Sequence, residues 1–324
     1  MFISRQEIID KINQFSAQKK PFLFTVDFNG EKGFVFTPEE ALNNGIKYEL
    51  GSGKNDLKND KKQSFFFSFK EVAFETYKLA FKRIIFHLER GDTYLVNLTF
   101  PTPLITNLTL EEIYETSVAP YKLMVPGCFV VFSPELFVRI SDSKIFSHPM
   151  KGTIDATIPG AAQKLLMDEK ELFEHNTIVD LIRNDLSMVA TGVHVERFRY
   201  LDRIQTNRGD LLQMSSAITG DLPAGYMERL GDILFTLLPA GSVTGAPKEK
   251  TVEIIRQCES YQRDFYTGIF GFFDGESLTS AVSIRFIEQG TDGLLYKSGG
   301  GITALSNVES EYGEMLKKIY IPIV

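Results

Sequence analysis

Lys151 stands in the stretch Pro149-Met150-Lys151-Gly152-Thr153, with a proline two residues before it and a glycine just after it. Proline fixes one backbone angle and glycine frees the next, so the spacing predicts a constrained turn that aims one amine at a fixed point. A held amine can act as nucleophile or base, although most Pro-x-Lys-Gly stretches are ordinary surface turns. Carboxylates form a second group. On a helix from Asp168 to Leu186, Glu171 and Glu174 share a line with Ile178, Leu181 and Asp185, which turns two acids toward an interior cleft. Glu311 and Glu314 repeat the three-residue spacing near the C-terminus, with Lys318 one turn further on. Two such pairs facing each other would make an oxygen cage for a hard cation. Mg²⁺, which keeps waters and takes one or two carboxylates, suits it better than Ca²⁺. Glutamates three apart are also commonplace on solvated helix faces.

Further stretches carry backbone chemistry. Ser133-Pro134-Glu135 lies between two strand-like runs and presents a carboxylate at a strand start. Gly241 to Lys248, with Thr244 inside it, is a small-residue loop opening onto a helix from Lys250 to Cys258, and helix starts offer unpaired N–H groups to anions. Gly299, Gly300 and Gly301, flanked by Ser298 and Ile302, let the backbone approach a ligand closely. Arg285, in an alternating strand from Ser280 to Phe286, has the fork geometry for a carboxylate. Gly51-Ser52-Gly53-Lys54 fails as a phosphate loop, because Tyr48 stands where glycine is required and Asn55 where Ser or Thr is required.

The elements that must position these residues are read from periodicity. Ile8, Ile9, Ile12 and Phe15 mark a helix from Ser4 to Phe15 with Ser4 as N-cap. Pro21 to Phe36 alternates like a strand pair turned at Asn29-Gly30. Gly51 to Lys62 is a polar loop, and Phe69 to Glu89 a second helix with a wide apolar stripe. Gly91 to Thr99, Cys128 to Phe132, Glu135 to Ile140 and Lys144 to Ser147 read as turns leading into strands. No Pro- or Ser-rich linker divides the 324 residues, so one interleaved α+β domain is expected over 1–324. The net charge of −7 argues against a nucleic-acid binder. Cys128 and Cys258 form no disulfide framework or Cys-x-x-Cys pair. No secretory signal opens the chain and no run approaches a membrane span, so a cytoplasmic protein is expected.

The Pro149 to Thr153 stretch, Ile178 to Leu186, Gly241 to Lys248, Gly299 to Ile302 and Glu309-Ser310-Glu311-Tyr312 occur together in this order and spacing. Jointly they resemble the chorismate-utilising enzymes, which include the large subunits of anthranilate synthase and aminodeoxychorismate synthase and the isochorismate and salicylate synthases. The resemblance covers 91–324 as a catalytic core, with 1–90 a shortened N-terminal part. It implies a layered α/β/β/α fold, with two large antiparallel sheets packed face to face and helices outside. Within the family the chain is most similar to aminodeoxychorismate synthase component I. The water-using branch carries a basic lysine where this chain has Leu95, and anthranilate synthases usually have alanine where this chain has Lys151.

What the resemblance implies is amination of chorismate at C4 to 4-amino-4-deoxychorismate. Lys151 would attack C2, Glu135 would act as general acid, and Thr244 belongs to a loop typical of ammonia-using members. Mg²⁺ would be held by Glu174 and Glu314, with Glu171 and Glu311 as outer or alternate ligands. Arg285, Tyr266, Lys318, Gly152, Thr153 and the amides of Gly299, Gly300 and Gly301 would bind the substrate. Ammonia would come from a separate glutaminase subunit. Three departures stand out: Gln213 replaces a usual histidine, His148 a frequent arginine and Leu95 a frequent glutamine. Anthranilate synthase is the alternative reading, and a non-catalytic glutaminase-binding partner a second.

Overall fold

The structure is a computed structural model that describes residues 1–51, 65–206 and 209–322. Two antiparallel sheets carry the architecture. The larger, of ten strands, runs from Ile3–Ser4 through Lys32–Phe36, Phe22–Val26, Ile269–Phe273, Leu278–Val282, Leu136–Ser141, Lys144–Ser147 and Gly209–Asp221 to Met150–Asp155, with Thr191–Thr206 also pairing Gly209–Asp221. The second, of eight strands, runs from Gly245–Ala246 through Leu95–Thr106, Gly293–Ile302, Phe286–Gly290, Phe129–Ser133 and Tyr121–Val125 to Lys47–Leu50, with Phe67–Phe69 also pairing Leu95–Thr106.

Strand alternation explains why the sheets stack and why both need a further layer. In Phe129–Ser133, Phe129 and Val131 join Leu23, Phe34 and Phe270 of the larger sheet in an inter-sheet core, while Val130 and Phe132 turn outward onto a separate cluster with Ile113. Both faces of the strand are apolar, so both must be covered. Helices Arg5–Ala17, Glu169–Ser187 and Leu230–Thr236 cover the outer face of the larger sheet, and Phe74–Glu89, Lys248–Cys258 and Val308–Lys317 that of the smaller. This is the layered α/β/β/α arrangement. Among the described residues no helix is long and apolar enough to cross a membrane.

Local signals placed several elements correctly. Helix Arg5–Ala17 starts from Ser4 in a capping box with Glu7, and the strands at 22–26 and 32–36 form the hairpin, with Gly30 at φ +69° in its turn. Other readings need correction. The second helix begins at Phe74, not Phe69, because Phe67–Phe69 is drawn into pairing with residues 104–106. Arg285 is not on a strand. The larger sheet's strand stops at Val282 and the smaller sheet's begins at Phe286, and Arg285 lies between them with φ +53°. Apart from Gly51, the polar loop at 51–62 lies outside the described residues.

The Lys151 stretch is not a free turn. Met150–Asp155 is a strand pairing Gly209–Asp221, with Met150 opposite Ser215 and Thr153 opposite Gln213. Three steps on one strand match two on the other, so one extra residue is accommodated at Lys151-Gly152 as a β-bulge. Gly152 takes φ +79°, and a Cβ there would lie 2.9 Å from Leu165 Cδ1 and 3.0 Å from Glu171 Oε2.

The loop from Gly241 docks through another special glycine. Gly245 and Ala246 pair with Val96 and Leu95, and a Cβ on Gly245, at φ +129°, would sit 1.8 Å from the carbonyl oxygen of Leu95. Backbone cannot yield as a side chain tip can. Gly245→Ala should therefore cost about 2–4 kcal/mol, read as a lower urea midpoint; an unchanged midpoint would mean that the two strands are not held this closely.

Candidate active site

Two of the places where the chain passes between the sheets are neighbours, and each carries a charged residue. Phe129–Ser133 belongs to the smaller sheet and Leu136–Ser141 to the larger, so Pro134 and Glu135 make one crossing. Ser283 to Arg285 make the other. The crossings are tied together: Val282 N donates to Glu135 O (3.1 Å) and Phe132 N to Arg285 O (3.1 Å). Ladder bonds that would end at each crossing are thereby replaced.

Glu135 is held by the loop from Gly241. Ser242 Oγ donates a hydrogen bond to its Oε1, and a cavity of about 20 Å³ lined by Glu135, Asp185, Gly241 and Ser242 adjoins it, enough for a single water. Burial pushes the Glu135 carboxyl up, against the opposing pull of Ser242, Lys151, Arg285 and Lys318, because desolvation penalises the charged form. Asp185 Oδ2 pairs with Lys248 Nζ at 2.7 Å, and Lys248 also donates to Leu237 O.

Lys151 Nζ lies 3.7 Å from Glu174 Oε2. It also lies 3.7 Å from where a Cβ on Gly301 would be, and Leu95 Cδ1 3.0 Å from the same point. A Cβ there would crowd Leu95 and stand in contact with the amine, so the glycine keeps that side of Lys151 clear. Around Gly300 the corresponding point has Lys318 Nζ at 3.6 Å, Glu311 Oε2 at 3.8 Å and Glu314 Oε1 at 3.9 Å. Lys318 Nζ donates to Gly299 O (2.9 Å) and pairs with Glu314 Oε1 (2.8 Å). Burial lowers its pKa even so. Glu311 is buried and accepts from Ser306 Oγ at 2.8 Å.

The helix Glu169–Ser187, capped by Asp168 through Glu171 N, carries Glu174 into the interior and lays the Glu171 carboxylate over Gly152. For a cation, the donor chemistry fits: Glu311 and Glu314 oxygens approach one point over a glycine, and a hard ion needs only one or two carboxylates beside water and substrate oxygens. Among the described residues no three or more His, Cys, Asp or Glu side chains are already arranged to hold a metal.

The remaining sequence candidates are spread differently. Arg285 Nε donates to Tyr320 OH at 3.4 Å and its guanidinium lies over that ring. Tyr266 is buried in the inter-sheet core against Phe286. Thr244 is fully buried and spends its hydroxyl on Ala240 O (2.8 Å), and Thr153 is exposed on the edge ladder. Two residues at the site were not foreseen. Ser242 became visible only when the loop docked on Glu135. His175, four residues after Glu171 on the inward stripe, is fully buried with Nε2 2.7 Å from Ser216 Oγ; its spacing was the available signal. Burial pushes its pKa down to about 4, with smaller contributions from Arg199 and Lys151, so the ring is neutral.

Comparison with known proteins agrees with this layout. A family model described as chorismate binding enzyme matches residues 14–323. A PabA-like protein of Haemophilus influenzae is 48% identical over 318 residues, covering 98% of this chain and 97% of that protein. Aminodeoxychorismate synthase component 1 of Salmonella typhimurium is 34% identical over 74% of this chain and 55% of its own length. Anthranilate synthase component 1 of Archaeoglobus fulgidus is 32% identical over 71% and 57%. The chain thus spans little more than half of these two relatives. Among solved structures, MenF, the menaquinone-specific isochorismate synthase of Escherichia coli, superposes with a TM-score of 0.72 at 15% identity, over 97% of this chain and 80% of that one, a likeness of fold. The match to the family model over nearly the whole chain, on a fold shared with MenF, makes this protein a chorismate-utilising member of the chorismate binding enzyme family.

Proposed function

We propose that this enzyme aminates chorismate at C4, giving 4-amino-4-deoxychorismate with the enolpyruvyl group retained. The observation that carries the reading is Lys151, a bulge-mounted amine 3.7 Å from Glu174 and facing Gly301, which has no side chain. In the first step the Lys151 amine forms a bond to C2, the ring double bonds shift, and the C4–O bond breaks. Glu135 gives its proton to the departing hydroxyl, which leaves as water. Ammonia then bonds to C4, the electrons shift back, and the bond from C2 to Lys151 breaks. One ammonia enters and one water leaves. Leu95, an apolar wall beside the same glycine, offers no base to activate water as the competing nucleophile.

Glu174 and Glu314, with Glu171 and Glu311 as outer or alternate ligands, would hold Mg²⁺. The ion supplies positive charge for the ring carboxylate and for the electrons displaced toward it. Arg285, Tyr266, Lys318 and the amides of Gly299 to Gly301 bind the substrate's carboxylates in this reading, and Gly152 and Thr153 frame the lysine. Thr244 acts indirectly, its hydroxyl bond to Ala240 O holding the loop that carries Ser242. In this reading ammonia comes from solution or from a separate amidotransferase subunit, since neither Cys128 nor Cys258 lies in a Gly-x-Cys-x-Gly elbow. Burial raises Cys128 and holds Cys258 up at about 11.

Incubation with chorismate, Mg²⁺ and ammonium should yield a product that 4-aminodeoxychorismate lyase converts to 4-aminobenzoate. Lys151→Ala should lose about three orders of magnitude or more in kcat. Anthranilate as the product would replace this reading with the anthranilate synthase one.

The Glu135 assignment has a separate consequence. A carboxyl raised in the folded state keeps a proton that the unfolded chain has lost, so its contribution favours folding at low pH and fades as pH rises from the ordinary carboxylate value through the folded pKa. Glu135→Gln should abolish turnover yet gain stability relative to the parent as pH climbs through that window. Urea midpoints measured across pH check this, and a parallel shift of both proteins would contradict a raised acid at Glu135.

A further inference from the structure

We propose that the His175–Ser216 hydrogen bond is a positioning bridge that sets Lys151 against Glu174 for the chorismate reaction. It rests on the reading that Lys151 performs the chemistry. The bridge joins three elements at one residue. Ser216 Oγ meets His175 Nε2 at 2.7 Å and accepts from Arg199 N at 3.0 Å, while Ser216 N donates to Pro149 O at 3.1 Å. His175 follows Glu174 directly on its helix, and Pro149 stands two residues before Lys151. Ser216 therefore meets the helix that presents the carboxylate through its side chain, and the stretch leading into the strand that presents the amine through its backbone N–H.

The surroundings are built for this contact. Arg199 sits at φ +48°, where the ladder between Thr191–Thr206 and Gly209–Asp221 shifts register between Arg197 and Tyr200; a strained backbone thus delivers its N–H to Ser216. With that N–H donating, the Ser216 hydrogen is left for His175 Nε2, since among the described residues that hydroxyl has no other hydrogen-bond partner. The imidazole proton then lies on Nδ1, which is buried with no hydrogen-bond partner among the described residues. Both bridge residues are 0% exposed, so water cannot substitute for either without a cavity forming. Glu174 and Lys151 stand on different elements, and their 3.7 Å separation depends on how the helix is rotated and shifted against the bulge. His175 fixes both.

The test follows disappearance of chorismate, whatever the product, in His175→Ala, Ser216→Ala, the double variant and Ser216→Thr, which keeps the hydroxyl. The alanine variants should lose about tenfold to a hundredfold in kcat with KM for chorismate changed less than about threefold. The double variant should be no worse than the weaker single, because one interaction is removed once, and Ser216→Thr should recover most of the loss. Hydrogen–deuterium exchange, which needs no turnover, should quicken in segment 149–155 while helix Arg5–Ala17 is unchanged. His175→Asn serves if the alanine variant does not fold. Parent kcat in the alanine variants, additive losses, or unaltered exchange at 149–155 would overturn the bridge. If the parent makes anthranilate, the proposed product falls while the bridge is still judged on chorismate consumption; if the product is as proposed and the variants keep parent kcat, the bridge alone fails.

Discussion

A lysine on a regular strand points where alternation sends it, above or below its sheet, and nowhere between. The active site depends on breaking that rule once. Met150 and Thr153 keep their places opposite Ser215 and Gln213, and the extra residue between them forms a bulge at Lys151 and Gly152. Gly152 can take the required positive φ, and its missing Cβ leaves room for Leu165 and the Glu171 carboxylate to pack onto the bend. A side chain at that position would have to adopt the positive φ and would meet the tips of Leu165 and Glu171. The open strand at Gly300 and Gly301 completes the space, with Lys151 and Leu95 around one glycine and Lys318, Glu311 and Glu314 around the other.

A second constraint follows from stacking two sheets whose strands are apolar on both faces. The chain has to cross from one sheet to the other, and the crossings at Glu135 and Arg285 are adjacent and mutually hydrogen-bonded. Crossing points lie beside the inter-sheet core, so charged groups placed there are buried and their ionisation is biased. Glu135 is raised by that burial more than its positive neighbours lower it. A carboxyl whose pKa is raised by burial is biased toward the protonated form, which protonating a poor leaving group calls for.

Features settled by neighbours in sequence were legible without the fold. Ser4 and Glu7 cap a helix within four residues, and Asp168 does the same for the helix bearing Glu174. The inward stripe of that helix followed from spacing alone. Features settled by distant partners were not. The Lys151 stretch looks like a turn until the strand ending at Asp221 pairs with it, and Phe67–Phe69 looks helical until residues 104–106 claim it. Arg285 sits in an alternating run that predicts a strand, yet the need to cross between sheets bends it into a left-handed conformation. The partners of Glu135 and His175, Ser242 and Ser216, are 107 and 41 residues away along the chain, and no local pattern announces them.

The central claim is that Lys151 is a nucleophile rather than a charge that binds substrate. Intact-protein mass spectrometry of the enzyme mixed with chorismate and Mg²⁺, quenched in acid with ammonia withheld, addresses it directly. The account predicts a species heavier by chorismate less one water, mapped by peptide digestion to Lys151 and absent when ammonium is supplied. Unmodified protein throughout, from a preparation that turns over fully once ammonium is added, would contradict it and leave direct displacement by ammonia at C4.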